Sequence, residues 1–143
     1  MKAALIVDTG GLLRALARRV NGKPSWPDHE KALREASTVF VPSLVLPEID
    51  YFLRTERSAM RRFIAELFDP GTRYQFEQVH AADIARAMQL DAKFHERKLG
   101  LVDCGVAALA ERLGVFRIST TDRGDFSVLR IGLHYERALV LVP

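Results

Sequence analysis

A single cysteine, Cys104, stands in 143 residues. It excludes an internal disulfide, suits a reducing cytoplasm and reads as a small buried hydrophobe. No apolar run approaches the roughly 20 residues that cross a bilayer. The opening "MKAALIVDTGG" has an apolar run too short for a signal peptide and reads as a buried strand. His29, His80, His95 and His134 are scattered, and neither they nor Cys104 have metal-binding spacing. The pattern G-x-x-x-x-G-K-[ST] is missing, and "TGG" at 9–11 is not G-x-G-x-x-G, so no nucleotide-cradling loop is expected. Repeats, low-complexity tracts and linkers are missing too. One domain over residues 1–143 is the expectation, large enough to bury a core without staples.

What is present is an ordinary globular balance, 48% hydrophobic and 27% charged, with a net charge of +3. Ala3–Val7, 38–42, Val115–Ser119 and "RALVLV" at 137–142 read as short buried strands, the last at an edge, and "RYQFEQV" at 73–79 alternates like a strand. Between them lie helical periods. Leu12, Leu13, Leu16 and Val20 share one face of a helix over Gly11–Val20, with Arg14, Arg18 and Arg19 outside. "NGKPSWPD" at 21–28 is a loop, and His29–Ala36 a helix. "SLVLPEIDYFLR" at 43–54 enters a helix with Pro47 in its first turn, and Arg57–Phe68 is another. Ala81–Lys98 and Leu101–Leu113 complete the set. Short buried strands alternating with helices predict an α/β fold with a largely parallel sheet covered on both sides.

"AALIVDTGGLL" at 3–13 poses the functional question. Asp-Thr-Gly is the signature of aspartic proteases, but that architecture is almost wholly β. Asp8 could be half of a protease dyad, a metal ligand or the cap of the next helix. The other carboxylates favour a ligand site. Asp8 and Asp122 fall at or just past the carboxyl ends of strands, where open parallel sheets bind ligands. Glu48 and Asp103 fall near helix starts, which right-handed crossovers bring to the same edge, and Asp125 follows three residues after Asp122. Each has a plainer use: the helix dipole suits Glu48 and Asp103, and "TDRG" could be a turn. Two such charges about 4 Å apart repel by roughly 4 kcal/mol at an effective dielectric near 20, so a shared pocket must protonate or bind a cation. An oxygen-only donor set points to Mg²⁺ or Mn²⁺ and to phosphoryl chemistry. Withdrawing four of the 18 acids into one pocket leaves a basic surface, which suits a nucleic acid.

"LIVDTGGLL", "PSLVLPEIDYFL", "GLVDCGVAALAERLG" and "ISTTDRGDFSVLR", in that order and spacing, resemble PIN-domain nucleases. The nearest likeness is to VapC-type toxins of type II toxin–antitoxin systems, and it covers essentially the whole chain. The resemblance implies a three-layer α/β/α sandwich and a cytoplasmic homodimer. It implies an endoribonuclease, dependent on Mg²⁺ or Mn²⁺, held inactive by a VapB-like antitoxin. Carried over by motif, Asp8, Glu48, Asp103 and Asp122 form the acidic set, with Asp8 and Asp103 as direct metal ligands and Asp125 a further acid. The nucleophile would be a water activated in that pocket. Thr9 and Thr120 would be hydroxyls that orient carboxylates or water. Gly10 stands where Ser or Asn is frequent, and Gly124 splits "DRGDF". RNA contacts are expected from Arg14 and Arg18 on the first helix, Arg54 beyond Glu48, and Arg123.

Two rivals from other classes remain. A phosphoacceptor signalling module also gathers acids at strand ends, but it needs a Lys after a late strand, and "ISTTDRGDF" offers none. A catalytically silent PIN interaction domain would be expected to have lost an acid.

Overall fold

A computed structural model describes residues 2–143. Five strands form an all-parallel sheet in the order β3-β2-β1-β4-β7. They are β1 (Leu5–Val7), β2 (Val39–Pro42), β3 (Tyr74–Glu77), β4 (Arg117–Ser119) and β7 (Val140–Val142). Leu5, Ile6, Val7, Val39, Val41 and Ile118 are all but fully buried, as strands covered on both faces must be. Helices α1 (Thr9–Leu16) and α2 (Pro27–Glu35) link β1 to β2, and α3 (Leu46–Phe52) and α4 (Arg57–Leu67) link β2 to β3. Helices α5 (Ala81–Lys93) and α6 (Gly100–Leu113) then carry the chain across to β4. Right-handed crossovers place α1–α4 on one face and, because the progression along the sheet reverses, α5 and α6 on the other. The expected α/β/α sandwich is the observed architecture.

The reversal falls between β1 and β4, which pair in register Ile6↔Ile118 and Val7↔Ser119. Beyond those strand ends the Asp8 N–H still donates to the Ser119 carbonyl at 2.9 Å. A switch point of this kind opens the crevice in which doubly wound sheets bind ligands.

The structure differs from the sequence reading in three places. Helix α1 stops at Leu16, so Arg18 and Val20 are not on it; Ala17 turns extended and residues 17–25 fold back as a hairpin, with Arg18 bridged to Pro24. The helix expected over Ala81–Lys98 stops at Lys93, a 3-10 turn follows at His95–Arg97, and Lys98 is left-handed. Phe94 packs edge-on against Tyr135, drawing the chain away from the helix axis. The C-terminal segment makes two strands: β6 (Arg137–Ala138) pairs antiparallel with β5 (Arg130–Ile131), and only Val140–Val142 joins the main sheet, at its edge. Between Asp122 and β5 the chain forms a short helix, α7 (Arg123–Val128), whose Phe126 is fully buried.

Candidate active site

Asp8 leaves β1 at the switch point and is buried. It occupies the position before α1, yet its side chain makes no capping bond to that helix. Instead Thr120, at the end of β4, donates its hydroxyl to Asp8 Oδ2 at 3.0 Å. The same Thr120 Oγ1 accepts the Asp122 N–H at 3.0 Å. Thr9 donates its hydroxyl to Glu48 Oε1, fastening the first turn of α3 to that of α1. Asp122 precedes α7 and accepts the Asp125 N–H at 3.3 Å, so both acids face one turn. Asp103 stands in the first turn of α6.

The five carboxylates converge. Oxygens of Asp103, Asp122 and Asp125 lie within 4.8 Å of one another. Burial and then the charges of Asp8, Asp122, Asp125 and Glu48 push the Asp103 carboxyl up to about 7. Asp8 is also raised, by burial above all, with Thr9 and Thr120 opposing and the Glu48 and Asp122 charges adding to the rise. Asp122 is raised by burial and by the Asp125 carboxyl. All five therefore share one field, with the tightest oxygen group on the α6–α7 side. Asp8 and Glu48 are each turned toward a threonine hydroxyl.

Sequence reading missed Arg97. Its guanidinium donates to the Gly124 carbonyl at 2.8 Å and to Asp125 Oδ1 at 3.4 Å, and it lowers Asp122 against the effects that raise it. The break after Lys93 is what brings Arg97 to the acids. The signal available was "HERKLG" before α6, a charged run ending in glycine where a helix should not continue.

Each of the four arginines expected to contact RNA has a local partner. Arg14 lies over the Trp26 ring, 4.3 Å from its centroid. Arg18 is on the hairpin, not on the first helix, and donates to the Gly22 carbonyl at 3.4 Å. Arg54 folds back over Tyr51, 4.2 Å from the ring centroid, and donates to the Tyr51 carbonyl at 2.8 Å. Arg123, beside Asp122, donates to a main-chain oxygen of Pro143 at 2.6 Å.

A parallel sheet with a carboxylate cluster at its switch point defines an α/β domain suited to a hard divalent cation. The chain belongs to the PIN domain family, whose pattern spans residues 5–131. Among curated proteins it is similar to Ribonuclease VapC26 of Mycobacterium tuberculosis, 28% identical over 131 residues, covering 88% of this chain and 92% of that one. Its fold is similar to the crystal structure of M. tuberculosis VapC20, a sarcin–ricin loop cleaving toxin, with a TM-score of 0.66 and 20% identity over 82% of this chain and 89% of that one. It is similar also to VapBC2 of Rickettsia felis, bound to a DNA fragment from its promoter, with a TM-score of 0.64 and 16% identity over 96% of each chain. These two likenesses carry the fold alone.

Proposed function

We propose that this protein is a metal-dependent endoribonuclease, the toxin of a type II toxin–antitoxin pair, acting in the cytoplasm as a homodimer. The observation that carries the reading is the gathering of Asp103 with Asp8, Glu48, Asp122 and Asp125 in one pocket, where burial first and then their charges push the Asp103 carboxyl up to about 7. Evolution of such a pocket for stability alone makes little sense, because each added charge raises its cost. The donor set is all oxygen, and three of its carboxylates reach one point within 4.8 Å of one another, which fits Mg²⁺ or Mn²⁺. Asp103, Asp122 and Asp125 would hold the ion, with Asp8 and Glu48 completing the acidic shell. A divalent ion there supplies charge neutralisation and Lewis acidity for phosphodiester hydrolysis.

The chain's own groups prepare that site. Thr120 fixes Asp8 and the Asp122 main chain together, and Thr9 fixes Glu48. The relative named a ribonuclease supports RNA as the substrate. The VapBC neighbour supports an antitoxin partner. A groove of about 640 Å³, apolar at Leu13, Leu16, Leu53 and Phe63, charged at Glu56 and Glu66 and holding none of the five site carboxylates, is where such a partner would seat an apolar segment. The decisive experiment is RNA cleavage by the purified protein in Mg²⁺ or Mn²⁺. Cleavage should vanish in EDTA and in Asp103→Asn. Full activity in that variant would overturn the assignment.

A further inference from the structure

The ten residues that leave α1 carry an arrangement the nuclease reading does not use. Arg18 bridges Pro24, the Ser25 N–H donates to Ala17 at 3.1 Å, and the Arg19 N–H donates to Lys23 at 2.8 Å. Gly22 turns the tip at φ +79°, with nothing within 4 Å of where a side chain would start. The result is a hairpin tied by main-chain bonds. It exposes Arg18, Arg19 and Lys23, and "ARRVNGKPSW" contains no acid.

At the foot of the hairpin stands Trp26, the one tryptophan of the sequence, 44% exposed although it is the residue with most to gain from burial. The Arg14 guanidinium lies over its ring, 4.3 Å from the centroid, and fixes the indole in place.

This foot stands at the end of α1 away from Asp8. Arg14 is on the helix that begins beside Asp8, six residues on, a rise of about 9 Å. Arg123 follows Asp122 directly. Between them sits buried His29, less than one turn after Trp26; burial and then the Arg14 charge lower it, with Arg123 adding to the effect.

We propose that Trp26, held by Arg14, stacks an unpaired RNA base at the end of α1 away from Asp8, while Arg18, Arg19 and Lys23 line the path of its phosphates. The proposal rests on the ribonuclease reading and adds to it a base-stacking subsite. An exposed indole beside cations suits a polyanion with flat faces, since aromatic stacking accepts any base and guanidinium and ammonium groups meet phosphate. A duplex keeps its bases inside its own stack, so this subsite selects single-stranded segments.

Because Trp26 is the sole tryptophan, its fluorescence reports the contact directly. A mixed-sequence single-stranded oligoribonucleotide, titrated in EDTA to prevent cleavage, should quench it saturably, and the same sequence as a duplex should not. Trp26→Ala should weaken single-strand binding about tenfold or more, and Trp26→Phe should recover most of that loss. Equal affinity in Trp26→Ala with no quenching of the wild type overturns the proposal. So does an emission shift that follows protein concentration without RNA, which would make Trp26 a contact between copies. Cleavage in Mg²⁺ and Mn²⁺, run in parallel, separates the two readings. Cleavage with no role for Trp26 removes only the subsite, whereas no cleavage by the wild type removes the ribonuclease itself and the subsite with it.

Discussion

Thr120 donates its hydroxyl to Asp8 Oδ2 at 3.0 Å while accepting the Asp122 N–H on the same oxygen, across 112 residues of chain. One buried oxygen thus sets the spacing of two acids that arrive on neighbouring strands. Thr120→Val keeps the shape and removes both bonds. It leaves the Asp122 N–H without this partner and Asp8 without its neutral donor, a loss of about 1–3 kcal/mol for an unsatisfied buried group. Urea denaturation should show that loss, and RNA cleavage should fall further than stability alone accounts for.

Asp103 gives the fold a pH dependence of a definite sign. Its folded value of about 7 stands above its ordinary 3.8, so the folded chain keeps a proton that the unfolded chain releases. The contribution is fully present below 3.8 and is lost as pH rises through about 7. Without divalent ions, the melting temperature should therefore decline across that window. Asp103→Asn should flatten the decline and be more stable than the wild type at about pH 8. An unchanged slope in the variant would mean that the pocket carries no such strain.

The acids were legible because topology does the work. A residue just past a buried strand or in the first turn of the next helix must arrive at one sheet edge, so Asp8, Glu48, Asp103 and Asp122 could be grouped with no contact known. The hairpin at 17–25 was not legible. Leu12, Leu13, Leu16 and Val20 keep a helical period, and the hairpin bonds from the Ser25 N–H to Ala17 and from the Arg19 N–H to Lys23 end the helix at Leu16. Arg97 was hidden for the same reason, since Phe94 leaves α5 to meet Tyr135 of a ribbon whose strands are two residues each. Hairpin pairing in the one case and packing against a distant ribbon in the other override local period, and period alone does not display either.

On the proposed reading, proton and divalent ion compete for Asp103. At limiting Mg²⁺, RNA cleavage should rise with pH through the region of about 7, and its midpoint should move to lower pH as Mg²⁺ is raised. A midpoint independent of Mg²⁺ would place the titrating group elsewhere.

On the proposed reading, Arg97 works against the ion. Its guanidinium reaches Asp125 at 3.4 Å, with both side chains well exposed, so the pair is weak in itself. Removing the positive charge makes the pocket more negative. Arg97→Ala should therefore tighten Mn²⁺ by up to about fivefold, read from the rise of melting temperature with Mn²⁺. Weaker binding would show that Arg97 acts chiefly by holding α7 through the Gly124 carbonyl.

The two glycines of "DTGG" should respond unequally to the same substitution. A Cβ on Gly11 would lie 2.2 Å from the Ser119 carbonyl oxygen and 2.5 Å from Ser119 Oγ. That carbonyl already accepts the Asp8 N–H, and the Ser119 side chain is fully buried, so neither can withdraw. Gly11→Ala must push α1 away from β4 and with it the Asp8–Thr120 bond, at about 1–3 kcal/mol or more. A Cβ on Gly10 meets only the exposed Thr121 side chain, with Oγ1 at 2.2 Å and Cβ and Cγ2 at 3.2 Å, so Thr121 must turn its hydroxyl aside and shift slightly, which its exposure allows. Gly10→Ala should leave stability within about 0.5 kcal/mol of the wild type, aided by the better helix propensity of alanine. Denaturation of the two variants side by side decides it. Equal losses would mean that Thr121, not the approach of α1 to β4, is the fixed element at the mouth of the acid pocket.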